Sequence, residues 1–426
     1  MPSLRRSIIV TFMGLAYAIM VLTQGRLMRT LSNTPQSSSS GSQADDAMIV
    51  PHLEERKIKK KKHDYGACDL LPVMEKPLVR PAFSDIVRNW TFFKSPNWLL
   101  DFAVVGFPKC GTSTMMRYLN IPNVSASLQD EQCFLSFNQD EPFVKDLYDK
   151  LPSDPPHLLR GIKCPQNLES DHALHNFQTL FPRTKLIVGV RHPILWFQSF
   201  YNFRVNNYQK MIPANECIGR CLGKTRSTCT DRGRFHYSLA RLGKTLLNDP
   251  EELKLLRSHN QKDVQAIRRS ITNFTFLGSN TKVFLYDTDQ LAHDIHTSSH
   301  HNITEESARM AKQFREDLRC FLGLPPQIEL PPMIQEIPGI RHGAAKQAEI
   351  DKGKINICDD TYIELRKVLL DHGTKASRWI RHYFLQSKDV FVSQREEFEK
   401  ILQTWEHDPC TTNQIARSSA TTNSRA

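Results

Sequence analysis

Phe102-Ala103-Val104-Val105-Gly106-Phe107-Pro108-Lys109-Cys110-Gly111-Thr112-Ser113-Thr114 is the stretch on which the fold turns. Four apolar residues ending at a glycine read as a buried strand, and a helical pattern from Thr114 to Leu119 follows. A strand, a glycine-bounded loop and a helix start bring free N–H groups and the positive end of a helix dipole to one place, which suits an anion. Gly106 and Gly111 have the spacing of the nucleoside-triphosphate loop G-x-x-x-x-G-K-[ST], yet Thr112 stands where its lysine belongs. The lysine is displaced to 109, inside the loop, where it can reach a bridging oxygen of a bound anhydride. That displacement, with no acid-rich Mg²⁺ site in the chain, argues against a nucleotide kinase or hydrolase.

Outward from this loop the pattern is α/β. Leu158–Ile162, Leu186–Val190 and Val283–Tyr286 read as further short strands. Stretches such as Pro250–Ser270 read as intervening helices, and Asp360–Phe384 and Gln394–Thr404 as two amphipathic helices near the end. Strands alternating with helices predict a central parallel sheet covered on both faces, a P-loop-type three-layer sandwich. The strand Leu186–Val190 runs into Arg191-His192-Pro193-Ile194-Leu195-Trp196-Phe197-Gln198-Ser199-Phe200-Tyr201, a second strand-to-helix transition with Pro193 suited to a first helical turn. Arg191 offers a planar, permanently charged fork and Ser199, eight positions on, a hydroxyl, a pair of groups fit to hold a phosphate.

These two segments resemble the phosphate-binding elements of the sulfotransferases that use 3′-phosphoadenosine 5′-phosphosulfate (PAPS), nearest to the luminal Golgi-type carbohydrate enzymes of the heparan and chondroitin kind. The resemblance spans about residues 98–326. It implies that Lys109, Cys110, Gly111, Thr112, Ser113 and Thr114 form the 5′-phosphosulfate loop and that Arg191 and Ser199 hold the 3′-phosphate. Asp130-Glu131-Gln132-Cys133-Phe134 resembles the family's K-E-x-H-F segment, which makes Glu131 the general base, although Asp130 replaces the lysine and Cys133 the histidine. Gly161-Ile162-Lys163-Cys164-Pro165 resembles E-K-[ST]-P, which makes Lys163 a second catalytic cation beside Lys109, although Gly161 replaces a polar residue and Cys164 the hydroxyl. Asp287-Thr288-Asp289-Gln290-Leu291 and Phe321-Leu322-Gly323-Leu324-Pro325 match later architectural segments, and Arg341-His342-Gly343 is the candidate for a third donor-contacting loop. The implied reaction is in-line sulfuryl transfer from PAPS to a hydroxyl or amine of a glycan, with no metal required. A luminal tyrosyl-protein sulfotransferase and a catalytically silent glycan-binding relative are the alternatives.

The rest of the chain bears on location and partner. Its 426 residues are 40% hydrophobic, which excludes global disorder, and the Gly and Pro carry no collagen-like period. Nineteen uncharged residues lie between Arg6 and Arg26, enough for a helix rising about 1.5 Å per residue to cross a hydrocarbon core of about 30 Å. The Thr23-Gln24-Gly25 segment before Arg26 is a poor cleavage site, which favours an uncleaved signal anchor. The expected organisation is a cytoplasmic tail (1–6), a transmembrane anchor (7–25), a stem and lead-in (26–97), a sulfotransferase domain (98–410) and a disordered tail (411–426). Sequons at Asn89, Asn123, Asn273 and Asn302, with ten Cys, fit a single-pass type II Golgi protein whose catalytic domain lies in the lumen, with disulfides of open pairing. Net charge is +11, which suits an anionic polysaccharide or proteoglycan chain; no nucleic-acid partner is expected. Lys210, Arg220, Lys224, Arg226, Arg232 and Arg234, with Cys217, Cys221 and Cys229, suggest a disulfide-pinned basic lid, a zinc site being disfavoured by the spacing.

Overall fold

The computed structural model describes residues 80–121, 125–150, 158–207, 211–221, 228–242, 281–292, 304–332, 344–382 and 384–411. The tail, the anchor, most of the stem, Pro250–Ser270, Arg341–Gly343, the sequons at Asn123, Asn273 and Asn302, basic residues 210, 224 and 226, and residues 412–426 lie outside them. No helix among the described residues is long and apolar enough to cross a membrane.

Six strands form one sheet: β1 (Phe102–Gly106), β2 (Ser125–Glu131), β3 (Leu159–Lys163), β4 (Lys185–Val190), β5 (Val283–Asp287) and β6 (Val390–Phe391). Their spatial order is β2-β3-β1-β4-β5-β6, and every neighbouring pair is parallel. Besides the single turn Phe83–Ile86, the α-helices among the described residues are α1 (Thr112–Leu119), α2 (Asp140–Lys150), α3 (Asp171–Thr179), α4 (Pro193–Asn206), α5 (Phe235–Ala240), α6 (Glu305–Leu322), α7 (Ala344–Gly353), α8 (Ile363–His382) and α9 (Arg395–Thr404).

Strand side chains alternate between two cores, as the two-residue period requires. Phe102, Val104, Ile187, Phe284 and Tyr286 pack under Met115 and Met116 of α1 and Phe314 and Phe321 of α6. Ala103, Val105, Val188 and Leu285 face the larger core, which holds Phe143 of α2, Phe177 of α3, Phe197 of α4, Leu369 of α8 and Phe398 of α9. The sheet is therefore covered on both faces, as the apolar runs predict. Ile86 and Val87, ahead of β1, are buried in the same larger core. Asn89 sits exposed in the turn of a short antiparallel hairpin, Val87–Arg88 with Thr91–Phe92.

Sheet order positions the site. After β1 the chain passes to β2, on one side of it; after β4, its immediate neighbour, the chain passes to β5, on the other side. Departures in opposite directions open a crevice at the carboxyl ends of β1 and β4, the place where open α/β sheets bind ligands. The loop from 107 to 111 and the residues from Arg191 onward are the two lips of that crevice.

Candidate active site

The loop after β1 is fixed from three sides. Phe107 N–H donates to the Gly189 carbonyl of β4 at 2.9 Å. Trp196 Nε1 on α4 donates to the Pro108 carbonyl at 2.9 Å. Tyr286 Oη on β5 donates to the Cys110 carbonyl at 2.9 Å. The loop comes so close to β4 that a Cβ at Gly189 would stand 2.3 Å from the Cys110 carbonyl oxygen. Gly111, at φ 72°, turns the chain into α1 through the left-handed region that glycine enters freely. The first turn of α1 leaves the N–H groups of Thr112, Ser113 and Thr114 without intrahelical acceptors. The Cys110 side chain is fully buried, and burial pushes its thiol pKa well above the ordinary value, so this residue serves the loop through its backbone.

Two cations face this loop. Lys109 also has a positive φ, 65°, and its ammonium lies 4.4 Å from the centroid of the Phe203 ring on α4. Burial, then repulsion from Arg191, holds its pKa below the ordinary lysine value, with Lys163 adding to the effect. Arg191 follows β4 half-buried and makes no hydrogen bond or ion pair with any described residue. Beside it, Asp287 at the end of β5 is buried, and its carboxyl is pushed up to about 8, chiefly by burial and then by Asp289, with Arg191 pulling the other way. Asp287 Oδ1 accepts from Asp289 N–H at 2.9 Å, while its Oδ2 has no partner.

Helix α4 carries the remaining donor-side group. His192 caps it: Nδ1 accepts from Ile194 N–H at 3.2 Å, which leaves Nε2–H to donate to the His407 carbonyl at 3.1 Å. Trp196 and Phe203 both touch the loop, through Pro108 and Lys109. Ser199 lies three residues after the first and four before the second, so it shares their face and is directed to the loop side. The residues present suit an anionic ligand: the Arg191 guanidinium has no hydrogen-bond or ion-pair partner among the described residues, the Lys109 ammonium has no carboxylate partner among them, and the loop runs against β4 at Gly189.

On the other flank, β2 and β3 carry the second pair. Glu131 ends β2 and Lys163 ends β3, directly opposite in register. Lys163 Nζ lies 2.6 Å from Glu131 Oε1 and donates to Ser113 Oγ at 3.0 Å, so this buried lysine links the exposed carboxylate to the start of α1. The structure thus places Lys109, Gly111 to Thr114 and Arg191 at the carboxyl ends of β1 and β4, with Ser199 further along α4, and sets Glu131 and Lys163 beside the start of α1. Asp130 precedes Glu131 on β2.

The two cysteines that depart from the sulfotransferase pattern form one disulfide, Cys133–Cys164. Gly161 also has a local reason: a Cβ there would stand 2.0 Å from the Phe102 ring. Cys221–Cys229 and Cys358–Cys410 are further disulfides. The first takes two of the three clustered cysteines out of any zinc reading. Of the basic residues in that insertion, Arg232 is spanned by both oxygens of Glu169, at 2.9 and 2.5 Å, and stacks on Phe200. Arg234 pairs with Asp231 at 3.3 Å. A lid of free positive charge is therefore not what these two arginines provide: Arg232 on Glu169, and Arg234 donating to His372 Nε2 at 3.4 Å, bind the insertion to the domain. Tyr286, Trp196 and Phe203 were not legible as site residues, because each reaches the loop from a distant element; only the lone glycine in Leu186–Val190 signals a close backbone approach.

No family model matches this chain, and no curated protein matches it in sequence. Among solved structures, a sulfotransferase from Alicyclobacillus acidocaldarius is similar at 16% identity, over 66% of this chain and 95% of that one, with a TM-score of 0.35.

Proposed function

We propose that the chain is a PAPS-dependent sulfotransferase that transfers a sulfuryl group to a hydroxyl or amine of a glycan by in-line displacement. The observation that carries this reading is the pair of unpaired cations, Lys109 and Arg191, at the adjacent carboxyl ends of β1 and β4. They suit a ligand with anionic groups at two ends, and a lysine inside the loop suits the oxygen that bridges phosphate and sulfate. In this reading the acceptor oxygen attacks sulfur as Glu131 takes its proton, and the sulfur–oxygen bond to the bridging oxygen breaks. Lys109 offsets the charge that grows on that oxygen, and Lys163 holds Glu131 and Ser113 in one arrangement. The N–H groups of Gly111 to Thr114 hold the 5′-phosphate, and Arg191 with Ser199 holds the 3′-phosphate.

Three disulfides among the described residues and the exposed Asn89 sequon support an oxidising compartment. The proposal accordingly places the domain in the Golgi lumen on the 7–25 anchor. The full-length chain incubated with radiolabelled PAPS and a panel of heparan, chondroitin and neutral glycans, beside an acidic tyrosine peptide, tests it. Label on a glycan, absent with Lys109→Ala, is the expected result. Label on the peptide alone makes the chain a tyrosyl-protein sulfotransferase. No transfer and no affinity for adenosine 3′,5′-bisphosphate defeats the reading.

A further inference from the structure

The carboxyl end of β2 is not held by a regular ladder. Ser127 pairs with Gly161 and Glu131 with Lys163, so β2 advances four residues while β3 advances two. A bulge of this kind leaves the direction of the following side chain free of the strand's own period. Three contacts re-establish the alignment beyond it: Gln132 N–H donates to the Lys163 carbonyl at 2.9 Å, Lys163 Nζ meets Glu131 at 2.6 Å, and Cys133 is joined to Cys164. The ion pair alone is a weak restraint, since the Glu131 side chain is 54% exposed and such a contact contributes about 0–1 kcal/mol. The covalent link is the strong one. It lies one residue after Lys163 and two after Glu131, and its Cys164 side is fully buried.

We infer that the Cys133–Cys164 disulfide is a positioning bridge: it sets Glu131 and Lys163 against each other beyond the β2 bulge, and the acceptor-activating half of the site depends on it. This rests on the sulfotransferase reading for what Glu131 does. Its geometric content, that the bridge holds the pair, stands apart from that reading. The donor half has its own brace. His192 donates to the His407 carbonyl, Arg366 bonds Asp408 at 3.0 Å, and Cys358–Cys410 ties this segment together behind Arg191. Opening the first bridge therefore harms turnover and spares donor affinity.

The test compares the full-length chain with Cys133→Ser/Cys164→Ser and Cys358→Ser/Cys410→Ser. Four quantities are read: affinity for adenosine 3′,5′-bisphosphate, kcat with its pH profile, thermal midpoint, and acetylation of Lys163 by mass spectrometry. For the first variant the expected result is nucleotide affinity within about twofold of the parent, as for distant, independent sites. Its kcat falls by up to about 10²-fold, the scale of a small misplacement of a reacting group. The acid limb of its pH profile shifts, and Lys163, buried in the parent, becomes severalfold more reactive. Unchanged kcat, pH profile and Lys163 reactivity overturn the inference, as does the same selective loss of kcat in the second variant. Should the first variant not fold, graded reduction of the native chain, with alkylation identifying the opened bridge, reads the same split. A parent chain that neither binds the nucleotide nor transfers sulfate defeats the functional reading, while Lys163 labelling still decides whether the bridge holds the pair.

Discussion

Lys109 is the residue whose removal separates function from stability most sharply. In Lys109→Ala the folded state loses the ammonium–Phe203 contact, worth about 0.5–1 kcal/mol at a partly exposed ring. It also loses a charge that burial and Arg191 both disfavour, which works in the opposite direction. The net change in stability is therefore within about 1 kcal/mol, or no more than about 2 °C in thermal midpoint for a domain larger than about 250 residues. Lys109→Gly removes in addition the left-handed strain at φ 65°, about 1–2 kcal/mol for a side chain held there. Glycine's freedom in the unfolded chain offsets about 0.4–1 kcal/mol of that gain, so this variant melts no lower than Lys109→Ala. On the proposed mechanism both lose the cation that offsets charge on the leaving oxygen, which costs about 10²–10³ in kcat, or about 2.7–4 kcal/mol. Differential scanning fluorimetry beside single-turnover transfer from saturating PAPS measures both quantities on one preparation. A kcat within tenfold of the parent, or a midpoint lowered in proportion to lost activity, refutes the reasoning.

Arg191→Ala is expected to weaken adenosine 3′,5′-bisphosphate by about 1.5–3 kcal/mol, the scale of a hydrogen bond to a charged group, while leaving adenosine 5′-monophosphate binding unchanged; calorimetry showing equal losses for both nucleotides would sink the 3′-phosphate assignment. Gly189→Ala places a methyl group 2.3 Å from the Cys110 carbonyl oxygen and 2.5 Å from Tyr286 Oη, so overpacking should cost about 1–3 kcal/mol; an unchanged melting temperature contradicts the close approach of loop and β4. His372 is buried with its pKa lowered to about 4, first by burial and then by Arg234, with Lys375 adding and Asp231 and Asp371 opposing. Between about 6.5 and 4 the unfolded chain binds the proton and the folded one does not, so stability present at neutral pH is lost on acidification, by on the order of 3 kcal/mol across that window. Melts between pH 7.5 and 4.5 should show this fall, and His372→Gln should flatten it; a parallel fall in the variant assigns the pH dependence elsewhere.

What the residues disclosed follows their physics. Continuous apolar runs mark β1, β4 and β5, because a parallel sheet covered on both faces leaves its central strands no polar side. The edge strand β2, Ser-Ala-Ser-Leu-Gln-Asp-Glu, has no such run and carries no strand signal of its own; its ladder to β3 and a bulge define it. The helix α6 is punctuated by Thr304, whose hydroxyl accepts from Ser307 N–H at 3.2 Å, and by Gly323 at φ 78°, local signals that mark its ends in the sequence. The placing of Lys109 in a loop and of Arg191 at a strand end before a helix follows from local patterns, whereas Glu131 stands out only by the resemblance of its segment to K-E-x-H-F. Tyr286 and Phe203, and the pairing of Cys133 with Cys164, are contacts between elements far apart in the chain, and nothing local encodes them.

Helix α4 shows why the segment beyond the resemblance belongs to the site. One face of it meets the donor loop, through Trp196 and Phe203. The opposite needs of the same helix are met by the chain after α7. Gln198 Oε1 accepts from Ile357 N–H at 2.7 Å, and Asn202 exchanges two hydrogen bonds with Ile355, at 2.8 and 2.9 Å. Its start is held by His192 against His407. Arg366 of α8 reaches the Ile357 and Asp359 carbonyls and Asp408 together, so one buried guanidinium joins both supports. These bonds fix the rotation of α4, and with it the side on which Trp196 and Phe203 meet the loop after β1. The last described residues therefore brace that loop through α4, as part of the scaffold on which the proposed site is built.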